Sequence, residues 1–233
     1  MSKISLKHSG GNVVSLNSPT NAPGAADVAF KLPNTDGSAG QFMKTDGSGN
    51  LSFDTISAPS SDFVKLSNVN STTNVTSIDF QSLDITTYKA FKLVFAGIPA
   101  TDSQEVRFQF MSGSNVISSS YYAWALIGVS GSSAHYEEMA LNDSTARIHN
   151  GAGNASLEGW RFVMDIVMQT TNDYAGANNY ACWAGNRVDP SGNYRLENGT
   201  LYYEYDTDTD GFKLVTSSGD FDKYSYTLYG VKR

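Results

Sequence analysis

The chain of 233 residues carries 23 acidic against 16 basic side chains, and its formal net charge is −7. That balance disfavours binding to nucleic acid or to an anionic membrane through diffuse positive charge. The single cysteine, Cys182, excludes an intrachain disulfide and a zinc site built on several thiolates. The N-terminus lacks the apolar core of a signal peptide and no run is long enough to span a membrane, so we expect synthesis in a cytosol and no membrane insertion.

Residues 1–58 form a segment that is small, polar and rich in turns. Such a segment cannot close a core alone, because its apolar residues are isolated, as are Ile4, Leu6, Val13, Val14 and Leu16. Thr35–Ser38 recurs as Thr45–Ser48, which repeats an Asp-Gly turn. Gln41–Lys44 and Asn50–Phe53 are each predicted to form a short strand. Composition alone favours a disordered linker, and the alternative is an extended anchoring arm that another chain holds in place.

The stretch Ser15–Phe53 carries a pattern that resembles the N-terminal or shaft region of bacteriophage tail fibres and related virion appendages. The matching residues are Leu32–Pro33, Asp36–Gly37, Gly40–Gln41 and Thr45–Phe53, with Phe53 where that pattern commonly has Trp. More loosely, Ile78–Phe95 and Tyr226–Lys232 resemble a fibre-associated β-sandwich module. The fibre resemblance implies a homotrimer, because three weakly hydrophobic arms can together bury apolar side chains that one arm cannot.

The stretch Tyr88–Met111 holds two clear strand patterns with a turn between them. Phe91, Leu93 and Phe95 alternate with polar or small residues in the first strand, and the second strand repeats the alternation with Val106, Phe108 and Phe110. The connection Gly97–Gln104 contains Pro99, Asp102 and Ser103, which are typical turn residues. The stretch is therefore predicted to form a β-hairpin of an antiparallel sheet.

Trp160–Met168 is the second strong pattern, with five apolar side chains on one face. A helix is the alternative, but β-branched and aromatic content favours a strand. In the strand Tyr180–Ala184, Cys182 is expected to be a small buried apolar residue. The remaining strand candidates are Asp62–Leu66, Ser77–Leu83, Tyr121–Val129, Glu137–Leu141, Ala146–His149, Thr200–Tyr205, Phe212–Thr216 and Tyr224–Val231.

The spacing of these strands predicts an all-β domain over residues 59–233. About ten short strands favour an antiparallel, jelly-roll-like β-sandwich over an open sheet. The expected architecture is therefore such a sandwich preceded by the extended, turn-rich arm of residues 1–58.

Three aspartates form the sharpest local motif, because Asp206, Asp208 and Asp210 match the first half of a calcium loop. The second half fails, since Ser217 stands where a bidentate Glu is needed. The alternative is a hairpin loop whose Asp and Gly residues satisfy turn geometry. We expect no cofactor, and calcium at these three carboxylates is the competing hypothesis.

Catalytic constellations are poorly supported by the sequence. His8, His135 and His149 lie in no recognisable nucleophile motif. The pair Glu137–Glu138 cannot act together in glycoside hydrolysis, because adjacent residues of a strand point to opposite faces. We therefore predict that the protein is not an enzyme.

Loop-borne aromatic and polar residues are the remaining candidates for a ligand site. Sugar-binding surfaces use exposed rings, with amides, carboxylates and guanidinium groups that bond to hydroxyls. For any one aromatic residue the alternative is a place in the core or on a strand. The candidate sugar-binding residues are Tyr174, Asn178, Asn179, Arg187, Asp189 and Tyr194.

The resemblance implies a non-enzymatic bacteriophage structural protein, made in the host cytoplasm and carried on the virion. Its arm would bind other copies or other virion proteins, and its sandwich would attach to a bacterial surface, with polysaccharide as the expected partner. A capsid decoration or head-fibre subunit is the alternative, because it needs the same anchoring arm and β-domain. A polysaccharide-degrading appendage is a third hypothesis, which would require a carboxylate pair in a groove.

Overall fold

The structure is a computed structural model in which the chain divides into two compact units, Met1–Ser60 and Ser61–Arg233. It describes residues 3–17, 24, 30–56, 61–118, 122–130, 134–168, 178–204 and 208–232. These residues form strands joined by turns and loops, and none of them belongs to a helix. Accordingly, no helix that could span a membrane occurs in the described part of the chain.

The first unit contains two antiparallel hairpins, β1 (Lys3–Lys7) with β2 (Val13–Asn17) and β3 (Gln41–Thr45) with β4 (Leu51–Thr55). The short strands predicted beside the Asp-Gly turns are confirmed as β3 and β4. The first hairpin was not predicted, since its apolar residues were interpreted as isolated.

The aromatic ring of Phe53 packs on the first Asp-Gly turn of this unit. A Cβ built on Gly37 would lie 2.7 Å from the ring of Phe53, so this aromatic side chain lies directly over the first Asp-Gly turn.

The described residues of the second unit form thirteen strands in two antiparallel sheets. They are β5 (Phe63–Ser71), β6 (Ser77–Phe80), β7 (Tyr88–Pro99), β8 (Gln104–Ser112), β9 (Asn115–Val116), β10 (Tyr122–Ser130), β11 (Ala134–Asp143), β12 (Ala146–Ala152), β13 (Gly159–Val167), β14 (Asn178–Val188), β15 (Tyr194–Glu204), β16 (Gly211–Thr216) and β17 (Phe221–Lys232). Each strand predicted from Asp62 onwards overlaps one of them.

The strand order is that of a jelly roll. Four strands of the large sheet run in the order β5-β17-β7-β13, and the small sheet opposes them in the order β6-β16-β8-β12. Two inserted strand pairs, β10–β11 and β14–β15, continue the large sheet beyond β13 in the order β14-β15-β10-β11. We call these four strands the extension. The predicted fold class, an antiparallel jelly-roll-like sandwich, is confirmed.

The predicted hairpin Tyr88–Met111 is wrong. Its two strands exist as β7 and β8, but they lie in different sheets and do not pair. The turn between them carries the chain from one sheet to the other. Period-two alternation shows which face of each strand is buried, and both apolar faces enter one core from opposite sides.

The core lies between the sheets and is rich in aromatic rings. The strand prediction for Trp160–Met168 is confirmed, since Trp160, Phe162 and Met164 on β13 are buried. Phe212 of β16 stacks on Phe80 of β6 at 4.4 Å and on Phe108 of β8 at 5.3 Å between ring centroids. This stack joins three strands of the small sheet through their side chains.

Cys182 is exposed, so its predicted burial is wrong. Ala181 and Trp183, its neighbours on β14, are buried. Because side chains alternate along a strand, these two neighbours occupy the core side and Cys182 faces outward.

Candidate interaction surfaces

The outward face of the large sheet presents a polar groove across the four jelly-roll strands. Strand pairing places Asn70, Ser225, Ala96 and Arg161 opposite one another on β5, β17, β7 and β13. Asn68, Thr227 and Val94 form the next row in the same way. Residues two apart on a strand share a face, so both rows project from the same side of the sheet.

Two adjoining cavities of about 510 and 200 Å³ make up this groove. Both are lined by Asn70, Ala96, Arg161 and Ser225. At the larger cavity the outward side chains of the central strands are small, namely Ser225, Thr227, Ala96 and Val94, whereas the flanking strands contribute longer ones. The face is therefore hollow above β17 and β7 and is bounded by the amides of β5 and the guanidinium of β13.

Arg161 is the one charged residue that lines the larger cavity, and Glu158 and Lys223 add a carboxylate and an ammonium group to the smaller cavity. The side chain of Arg161 is exposed, and it has no ion pair or hydrogen bond with any described residue. Lys223 at the smaller cavity lies 3.5 Å from Asp222, and Glu158 there accepts a hydrogen bond from the N–H of Ala155. An anionic group that enters the groove would find Arg161 available.

The extension presents a second surface, an outward apolar patch. On β11, Met139 and Leu141 are 71% and 77% exposed, and Ile127 on the adjacent β10 is 56% exposed. Glu137 is the one charged residue among the outward-facing side chains described on these four strands. Large exposed apolar patches mark protein contacts. The other exposed apolar residues of the patch are Val129, Tyr180, Leu196 and Tyr202.

The first unit presents a third surface, because apolar side chains on its hairpins and in the segment before β3 are also uncovered. Leu6 is 72% exposed and Leu32 is 75% exposed. The remaining large apolar residues exposed in this unit are Ile4, Val13, Phe30, Phe42, Met43 and Ile56. A folded segment with its apolar side chains in water gains by burying them against another chain.

A buried charge cluster ties the extension to the jelly roll. Glu197 of β15 is fully buried and accepts a hydrogen bond from Nε of Arg187 at 2.7 Å and another from the hydroxyl of Tyr136. Nδ1 of His149 on β12 lies 2.5 Å from Oε2 of the same carboxylate. Arg187 also donates to the carbonyl of Gly151 at 2.6 Å. The cluster thus joins strands β11, β14 and β15 of the large sheet to β12 of the small sheet.

The charges of the cluster support one another. Burial alone would raise the pKa of Glu197, but the hydrogen bond and charge of His149, with Arg187 and Tyr136, outweigh burial and lower the pKa to about 2. Burial, aided by Glu197, raises the pKa of Tyr136 to about 12. Because the carboxylate is sealed from solvent and already bonded, the cluster has the character of a structural ion-pair network.

Of the six residues predicted as a sugar site, four have side chains that the structure describes, and three of these are buried. Asn179 is buried and accepts a hydrogen bond from Thr209 at 2.7 Å, and Arg187 belongs to the buried cluster. Asp189 is buried and bonds to Arg195 at 2.8 Å and to the amide of Asn193. Tyr194 is 71% exposed. Tyr174 and the side chain of Asn178 lie outside the described residues, so the prediction as a whole stays a prediction.

The predicted calcium loop is described in part. Asp206 lies outside the described residues, Asp208 is exposed, and Asp210 accepts a hydrogen bond from the N–H of Gly113 at 2.7 Å. Within the described part of the chain no group of three His, Cys, Asp or Glu side chains is arranged to hold a metal ion. The alternative of a hairpin loop is wrong, because the flanking strands β15 and β16 lie in different sheets and Asp210 bonds instead to the turn between β8 and β9.

Sequence reasoning missed the groove, although one signal for it was present. The alternation in Trp160–Met168 places Arg161 on the outward face. Its neighbours Asn70 and Ser225 come from distant parts of the chain, and only the strand order brings them beside Arg161.

Comparison of the chain with protein-family models, with curated proteins and with solved structures found no match.

Proposed function

We propose that the protein is a non-enzymatic, fibre-like structural protein of a bacteriophage virion. Its residues 1–58 assemble with two further copies and anchor the trimer to other virion proteins. Its jelly-roll unit attaches to a bacterial surface polysaccharide. The fibre-type pattern in residues 15–53 supports the class of protein.

The observation that carries the proposal is the exposure of apolar side chains on both hairpins of the first unit. One chain leaves Leu6 and Leu32 in water, and three chains side by side can cover them. Burial of apolar area contributes about 25 cal/mol per Å², so even modest coverage repeated in three copies adds up to a stable contact. The second unit folds around its own buried core, and its uncovered apolar patch lies on the extension.

The groove and the buried cluster support the non-enzymatic part of the proposal. Glu197, a carboxylate with a strongly shifted pKa, is sealed inside the sandwich and already bonded. The groove on the surface offers amides, hydroxyls and one guanidinium group, which suit binding better than acid–base chemistry.

Deleting residues 1–58 is expected to convert a trimer into a folded, soluble monomer, because the apolar hairpins are removed and the jelly-roll core remains. Light scattering of the full chain and of the deletion variant gives the two masses. Leu32→Asp in the full chain should also weaken the trimer, whereas Leu157→Asp, at a leucine that is 78% exposed in the second unit, should not.

Two results would contradict this assembly. A full chain that is monomeric at micromolar concentration has no arm-mediated trimer. A deletion variant that remains trimeric would place the interface on the sandwich, where the apolar patch of the extension is the surface available for it.

A further inference from the structure

We propose that the groove over β5, β17, β7 and β13 binds a saccharide that carries a carboxylate, with Arg161 as the partner of that carboxylate. The inference deepens the proposed attachment function and rests on it for the source of the ligand. Its own basis is the shape, the hydrogen-bonding groups and the charge of the groove.

The shape of the groove suits a sugar chain. Its two cavities adjoin, so the hollow of about 510 Å³ continues into that of about 200 Å³ and is open to solvent along its length. Ser225, Ala96 and Val94 leave room above the central strands. Small and apolar side chains here can lie against the C–H face of a sugar ring.

The polar groups of the groove are mostly neutral and able to bond hydroxyls. The amide nitrogen of Asn68 donates to the hydroxyl of Thr227 at 2.7 Å, which fixes this side chain and leaves its carbonyl oxygen as an acceptor. Asn70 is exposed at the rim, and its side chain makes no hydrogen bond with any described residue. The amide of Asn68 is held in place by its hydrogen bond, and the neighbouring amide of Asn70 can turn towards a ligand. Together they suit a ligand that is rich in hydroxyls.

The charge of the groove selects an acidic ligand with sparse charge. A guanidinium group binds a carboxylate through two parallel hydrogen bonds, and no residue that the structure describes forms them with Arg161. A multiply charged phosphate would need several cations, and the larger cavity is lined by only this one. The net charge of −7 also repels a polymer with an acid on every sugar. A polysaccharide with acidic residues separated by neutral ones fits best.

The test uses the full chain and three oligosaccharides that carry a carboxylate on every second sugar, derived from hyaluronan, heparosan and unsulfated chondroitin, each compared with its carboxyl-reduced form by calorimetry. At least one acidic form should bind, and its reduced form should bind at least tenfold more weakly. Arg161→Gln should weaken binding about 10- to 100-fold, as expected for a hydrogen bond to a charged group. Lys65→Gln, at an exposed lysine of β5 outside the groove, should leave the affinity unchanged.

Three results would overturn the inference: no acidic oligosaccharide binds, the reduced forms bind equally well, or Arg161→Gln binds as the unmodified chain does. Binding to whole bacteria separates this failure from that of the proposed function. Cells that bind both the unmodified chain and Arg161→Gln would refute the groove alone. An unmodified chain that binds neither cells nor isolated polysaccharide would refute the attachment function as well.

Discussion

Replacing Glu197 by alanine is expected to lower the free energy of unfolding by about 3–5 kcal/mol, the usual cost of removing one partner from a buried ion pair. The substitution leaves Arg187 inside the sandwich without its carboxylate, and the hydroxyl of Tyr136 loses its acceptor. It also removes the contact to His149 across the sheets. The extension should therefore loosen from the jelly roll before the rest of the fold is lost.

Denaturant unfolding at fixed protein concentration measures this effect. Glu137→Ala is the matched control, because Glu137 is an exposed glutamate on the outward face of β11. This substitution should change the free energy of unfolding by no more than about 0.5 kcal/mol, as for most surface substitutions. Equal effects of the two substitutions would show that the cluster does not hold the extension in place.

The same carboxylate gives the protein a defined sensitivity to acid. The pKa of Glu197 is about 2 in the folded chain, below its ordinary value of 4.5. Its contribution to stability is therefore complete above about pH 4.5 and is lost as the pH falls towards about 2. Glu197→Gln should lack this component of the acid-induced loss. Parallel stability curves for the two proteins over that range would contradict the assignment.

Phe212→Ala is expected to destabilise the jelly roll by about 3–5 kcal/mol, because it leaves a cavity in a core that cannot collapse fully. Phe212 is fully buried and stacks on both Phe80 and Phe108, so its loss removes ring contacts to both neighbouring strands of the small sheet. Thermal and denaturant unfolding would both report the change.

Phe63→Ala provides the control for Phe212→Ala. Phe63 lies on the edge strand β5 and is 51% exposed, so its truncation leaves no buried cavity. The free energy of unfolding should therefore fall by less than about 1 kcal/mol. A small effect at Phe212 would contradict the stacked core.

Alternation along the chain predicted the strands well. In β13 every second residue from Trp160 is buried, because a side chain of a strand has only two directions and the core requires one of them. The jelly-roll class followed from the number and spacing of such strands.

The same alternation could not predict which strands pair with one another. The hairpin predicted for Tyr88–Met111 failed because alternation is identical whether two strands pair within a sheet or face each other across a core. Crossing between sheets depends on contacts with strands far along the chain, such as β17 beside β7 and β16 beside β8.

The surroundings of single candidate residues could not be predicted from local sequence either. Arg187 and Asp189 come just before a turn and were expected in an exposed loop, but each is buried against a charge that the fold supplies. Arg161 could be placed on an outward face from its own strand. The groove around it could not, because its other wall is formed by Asn68 and Asn70 of β5.

The proposed attachment role is tested most directly by binding of the full chain to a panel of bacterial cells and to their isolated surface polysaccharides. The sugar products are analysed in the same samples. A non-enzymatic attachment protein should bind at least one cell type and its polysaccharide and leave the polymer intact. Binding with cleavage would contradict the non-enzymatic role. No binding to any cell, together with tight association with purified capsids, would contradict host attachment and make the protein a capsid decoration subunit.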